Sequence, residues 1–106
     1  MKTIKSPREF ERVFSCGKRA NASLLRIRVA VDEGAGAGVA FVAPKRLGNA
    51  VFRNRCKRVL REAARISGLP VCGYGVILFA TSQTYDASPQ EVSYELQKLL
   101  RKTGIQ

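Results

Sequence analysis

The chain has 106 residues, 45% of them apolar, with 19 Lys and Arg against 8 Asp and Glu, no histidine and a formal net charge of +11. That length and apolar share fit one folded domain spanning 1–106 with a modest core, and no apolar run approaches the roughly 20 residues that a membrane span needs. The charge makes a polyanion the expected partner. Without a Ser/His/Asp set, paired carboxylates or an activated thiol, catalysis by the protein alone is not expected.

The first segment, MKTIKSPREFERVF, is charged and has no apolar core of a secretory signal, so the cytoplasm is the default location. Within it, Ser6-Pro7-Arg8-Glu9 reads as a Ser N-cap, Pro at the first helical position and Glu two further on, a capping box with a preset first turn. The helix carries Phe10, Val13 and Phe14 on one side and ends near Gly17. In the 24–31 stretch, Leu25, Ile27 and Val29 alternate with Arg26 and Arg28, which predicts a half-exposed strand. Residues 39–43 form a second strand, ending at Ala43 because Pro44 cannot donate to a ladder. The Gly-rich link between them, 32–38, leads into a strand rather than a helix and reads as a hairpin loop, not a phosphate-binding loop.

A middle helix runs from about Ala50 to Ile66. At 100° per residue, Phe52, Cys56, Val59, Leu60, Ala63 and Ile66 share one arc, which is the core face. Asn54, Lys57, Arg58, Arg61 and Arg65 lie opposite, with Arg53 and Arg55 at the two borders. Between Lys45 and Arg65 there are eight basic residues and one acid, Glu62, or seven of the eleven net charges. Cations near a helix N-terminus oppose the macrodipole by roughly 0.3 to 1 kcal/mol each, and like charges four apart add a smaller repulsion. A solvated face normally mixes signs; a single-signed face rich in Arg forks suits phosphate, and no broad aromatic or leucine face points to a membrane. Residues 76–80 read as a strand buried on both faces. Ser88-Pro89-Gln90-Glu91 repeats the capping box, and Val92, Leu96, Leu99 and Leu100 follow at helical spacing, with acids early and Lys98, Arg101 and Lys102 late.

Cys16, Cys56 and Cys72 are odd in number, widely spaced and without a CxxC pair, so reduced thiols are expected, two of them buried, and no metal site.

The stretch 45–62, in which Lys45, Arg46, Gly48, Asn49, Ala50, Val51, Arg53, Asn54, Arg55, Lys57, Arg58, Arg61 and Glu62 stand in fixed spacing, resembles the signature of the bacterial ribonuclease P protein family. The opening helix, with Phe10, Val13 and Phe14 followed by Gly17, Lys18 and Arg19, is similar to that family's as well. The resemblance implies an α/β fold, an α+β two-layer sandwich of order αβββαβα. In it, the middle helix makes a left-handed crossover between parallel strands and the fourth strand is a short piece near Lys18 to Asn21. Sterics alone favour a right-handed crossover in about 98% of such connections. The resemblance also implies the protein subunit of ribonuclease P, an endoribonuclease whose RNA carries the chemistry of removing the 5′ leader from precursor tRNA. No cofactor is then expected on the protein alone, and Mg2+ in the holoenzyme is held mainly by RNA.

Two surfaces follow from it. Lys45, Arg46, Asn49, Arg53, Asn54, Arg55, Lys57, Arg58 and Arg61 are expected to dock on the catalytic RNA, and Phe10, Phe14, Lys18, Arg26 and Arg28 to form a cleft for the precursor tRNA leader. The cleft pairs an aromatic platform with a basic groove, as single-strand binders do. Neither membrane nor DNA is an expected partner. A structural RNA-binding protein or RNA chaperone of the small ribosomal-protein type explains the charge equally well and the 45–62 block poorly.

Overall fold

A computed structural model describes residues 3–4, 6–31, 38–71 and 73–105. Helix α1 (Pro7–Cys16) is followed by strands β1 (Lys18–Asn21), β2 (Leu25–Val31) and β3 (Gly38–Val42). A single 3-10 turn (Lys45–Leu47) leads into α2 (Ala50–Ile66), and β4 (Tyr74–Ala80) and α3 (Pro89–Lys102) complete the αβββαβα order.

The four strands form one sheet in the order β1-β2-β4-β3. β4 pairs antiparallel with β2 and parallel with β3, so α2 is a crossover between parallel neighbours. This corrects the hairpin expected of 32–38: β2 and β3 do not pair, because β4 lies between them. The reason is in β4 itself, whose Val76, Ile77 and Leu78 are all fully buried and therefore need cover from strands on both edges and helices on both faces. Residues 32–37 lie outside the described residues.

The sheet has two unequal sides. Leu25, Ile27, Val29, Val39, Val76 and Leu78 point to one side and pack with Cys56, Leu60 and Ala63 of α2 and Val92, Leu96 and Leu100 of α3. Among the described residues the other side carries one helix, α1, whose Val13 packs with Ala30 and Ile77, with Ile4 of the preceding segment against the same cluster. Two glycines permit that contact. A Cβ at Gly75 would stand 2.9 Å from Val13 Cγ2, and one at Gly17 would stand 2.4 Å from the Val13 carbonyl oxygen, where α1 ends against β2. One ten-residue helix cannot cover the sheet, and its far end is left open.

The caps follow the sequence with one change. In α3, Ser88 Oγ accepts from Glu91 N–H at 3.1 Å and the Glu91 carboxylate accepts from Ser88 N–H at 2.9 Å, the full box. In α1, Ser6 Oγ accepts from Glu9 N–H at 3.4 Å, while the Glu9 carboxylate holds the Arg12 guanidinium at 2.6 Å. The core arc of α2 is rotated from its expected position: Ile66 is exposed and Ala64 buried. The chain leaving α2 passes through Gly68 at φ +82° and bonds Leu69 N–H to Ala64 O at 3.0 Å. This Schellman-type turn seats Leu69 in the core beside Ala64. Cys56 is buried and burial pushes its thiol pKa up, whereas Cys16 is exposed on α1; Cys72, the third thiol, lies outside the described residues. Among the described residues no helix is long and apolar enough to cross a membrane.

Candidate nucleic-acid interface

The segment from Pro44 to Arg65 builds the first surface. Gly48 sits at φ 156° and ψ −165°, a conformation essentially reserved for glycine, and a Cβ there would meet the Phe52 ring at 3.1 Å. This sharp turn presents Asn49, whose Oδ1 accepts from Phe52 N–H at 2.9 Å and starts α2. Asn49, expected to contact RNA, thus serves as the helix N-cap, which leaves its amide NH2 for a ligand.

The borders of the α2 face are anchored on protein carbonyls. Arg53 Nε donates to Ala43 O at 3.1 Å on the β3 side, and Arg55 Nε donates to Tyr85 O at 3.1 Å on the α3 side. In each case the Nε is spent inward and the terminal nitrogens remain for a bidentate acceptor. Arg55 lies over the Tyr85 ring (4.9 Å to its centroid), which stacks on Phe52 at 4.4 Å. Thr84, next to Tyr85 in the chain, is buried and its hydroxyl donates to Leu24 O at 2.6 Å. Arg61 leans over Phe41 at 5.3 Å. Asn54, Arg58 and Arg61 are exposed between these borders, with Lys57 half-buried.

Among the described residues, Arg53, Arg55, Lys57, Arg58 and Arg61 have no ion pair with a carboxylate. Arg65 alone on this face is neutralised, by Glu62, with Arg65 Nε 3.1 Å from Glu62 Oε1. The Arg65 hydrogen bond holds the Glu62 carboxyl below its ordinary value of 4.5. The pairing therefore contributes above that pH and is lost as pH falls through the lowered value.

The second surface is the open end of the sheet beside α1. A cleft of about 230 Å³ is lined by Phe14, Arg19, Asn21, Arg26, Arg28, Pro44, Arg46 and Phe79. Arg28 covers the Phe14 ring at 4.3 Å and donates from Nη1 to Phe14 O. Phe10 stacks on Phe14 with centroids 6.2 Å apart, and Phe79 meets Phe14 edge-on at 5.9 Å. The aromatic platform is therefore a three-ring cluster capped by a guanidinium, and Phe14 is exposed while Phe10 is half-buried.

Two expected placements change. Lys18 is not in this cleft. β1 pairs Lys18 with Val29 and Ala20 with Ile27, so Lys18 shares the α2/α3 side, whereas Arg19 and Asn21, opposite Arg28 and Arg26, face the cleft. Since Ala20 is the one apolar residue of the strand, parity already contained this answer. Arg46, expected on the α2 face, lines the cleft instead, because the 3-10 turn carries it around Pro44 toward β4. Phe79 escaped notice because a strand buried on both faces shows no alternation. Among the described residues no group of three or more Cys, Asp or Glu could hold a metal ion.

The family model for ribonuclease P matches residues 1–104. The ribonuclease P protein components of a Roseiflexus species and of Symbiobacterium thermophilum are 31% and 32% identical over 105 and 104 residues. Each alignment covers 96% of this chain, with 85% and 90% of the respective relative. The fold is similar to the RNase P proteins of Staphylococcus aureus (TM-score 0.80, 21% identity, 99% of this chain and 97% of that one) and Thermotoga maritima (TM-score 0.77, 20% identity, 96% and 97%). A single-signed helix face, a basic aromatic cleft and a match along nearly the whole sequence converge: the chain belongs to the ribonuclease P protein family, the protein subunits of a ribonucleoprotein endoribonuclease.

Proposed function

We propose that the α2 face docks on the catalytic RNA of ribonuclease P and that the cleft beside α1 grips the 5′ leader of precursor tRNA. The observation carrying the first half is the set of five α2 cations without a carboxylate partner among the described residues. Phosphates placed there relieve the repulsion and sit favourably near a helix start. The second half rests on the Phe14–Arg28 pair flanked by Arg19, Arg26 and Arg46, an aromatic platform in a cationic groove. The protein's part is binding and orientation. The metal ions of hydrolysis, Mg2+ in this reading, sit mainly on the RNA, and the particle works in the cytoplasm.

The test is reconstitution with the cognate RNA at low magnesium, reading cleavage of precursor tRNA. Addition of the protein is expected to raise the rate over RNA alone; no increase would leave only a structural RNA-binding role. Phe14→Ala is expected to reduce the preference for leader-bearing over leaderless tRNA by about 1 to 3 kcal/mol, the range for one stacked base. Normal discrimination by that variant would make the ring a packing residue only.

A further inference from the structure

Strand β1 is an edge strand, so one row of its backbone N–H and C=O groups is unpaired. Its side chains alternate between the two sides of the sheet. Arg19 and Asn21 line the leader cleft, and the same two residues also line a second hollow of about 630 Å³ on the far side of the edge, together with Lys18, Ala20, Lys102 and Thr103. No acid lines this hollow, and among the described residues Lys18, Arg19 and Lys102 have no carboxylate partner. The cleft and the hollow are thus one continuous basic track folded over a sheet edge.

Two simpler readings account for parts of it. Lys102 complements the α3 dipole, yet the last-turn carbonyls are already served by the Thr103, Gly104 and Ile105 N–H groups and the Thr103 hydroxyl. Lys18 and Arg19 could simply protect the edge from pairing with another chain, but edge protection requires neither Lys102 nor a concave surface joined to the cleft.

We propose that this hollow is a distal subsite for single-stranded RNA. The leader, having passed Phe14 and Arg28, crosses the β1 edge between Arg19 and Asn21, and phosphates farther from the cleavage point lie between Lys18 and Lys102. This rests on the leader reading of the cleft given above. It makes the protein's grip depend on leader length, with a near segment held by stacking and a far segment held by charge.

The experiment measures affinity of the reconstituted holoenzyme for precursor tRNAs with no leader, about 4 and about 12 nucleotides of it, lengths within the roughly 4 to 16 nucleotide site sizes of single-strand binders. The proteins are wild type, Lys18→Ala/Lys102→Ala and Phe14→Ala. Both lysines are exposed, and equal thermal midpoints will confirm that the double variant folds. Wild type is expected to gain affinity from the short to the long leader. The double variant loses that gain, about fivefold per phosphate contact near 0.1 M salt, with a salt slope flatter by about 0.7 per contact, and keeps wild-type binding of the short leader. If the double variant matches wild type on the long leader while Phe14→Ala fails on the short one, the subsite is wrong and the cleft stands. If wild type itself ignores leaders, the cleft reading falls and the subsite with it. If the double variant weakens assembly with the catalytic RNA before substrate is added, the hollow belongs to that contact and the proposal is overturned.

Discussion

Helices α2 and α3 lie side by side on one side of the sheet, and both bury an apolar stripe that includes fully enclosed leucines, Leu60 in one and Leu96 and Leu100 in the other. Their outer faces differ. α3 begins with a complete capping box and Glu91 and ends with Arg101 and Lys102, each charge where the helix dipole favours it. α2 begins with Asn49 alone, has no acid in its first turn, and carries Arg53 and Arg55 toward its positive end. The inward faces solve one packing problem in the same way, whereas the outward face of α2 holds five cations that have no carboxylate partner among the described residues, the charges that the proposed function pairs with RNA phosphates. Unfavourable local charge beside a well-formed core is therefore not a sign of a poor helix, and it is this contrast that the proposed RNA contact accounts for.

The likeness of the inward faces is the part expected to show the largest effect. Leu60→Ala and Leu96→Ala should each cost about 2 to 5 kcal/mol in chemical denaturation, the range for enclosed leucines; a much cheaper Leu60 would mean that α2 is not a core helix. The outward difference comes next. Arg53→Ala/Arg55→Ala should weaken assembly with the catalytic RNA by about eightfold per phosphate contact at roughly 0.1 M salt. Lys98→Ala/Arg101→Ala on α3, the same charge change, should leave assembly unaltered. Equal losses from the two pairs would reduce the contrast to net charge.

The smallest effect is the most diagnostic in sign. Lys57 stands four residues from Arg53 and from Arg61, so Lys57→Gln removes two like-charge neighbours. The free protein should gain about 0.4 to 1 kcal/mol from losing the two repulsions, read as a higher urea midpoint, while RNA affinity falls. A variant that loses both stability and affinity would show Lys57 to be a packing residue.

The contrast between α2 and α3 was legible in the sequence because it depends on spacing within one helix, where 3.6-residue periodicity and capping chemistry are local. The caps at Ser6 and Ser88, the enclosed Val13 and the doubly buried β4 all follow from neighbours a few positions apart. The resemblance to a known family added the short β1 strand and the element order. Non-local features were harder. β4 inserts between β2 and β3 because of its two apolar faces, a pairing no turn signal announces. Tyr85 comes under Arg55 across 30 residues, and Arg46 reaches the cleft only because a 3-10 turn redirects the chain after Pro44. Lys18 was misplaced although parity with Ala20 fixed its side, since a four-residue strand gives alternation little room to declare itself.

The most direct measurement is the salt dependence of assembly between the protein and its catalytic RNA, compared for wild type and for Arg53→Ala/Arg55→Ala. If RNA phosphates supply the counter-charges of α2, the log–log slope should flatten by roughly 0.7 to 0.9 for each contact removed. An unchanged slope in a folded double variant would mean that these guanidinium groups face water in the complex, and the α2 face would lose its assigned partner.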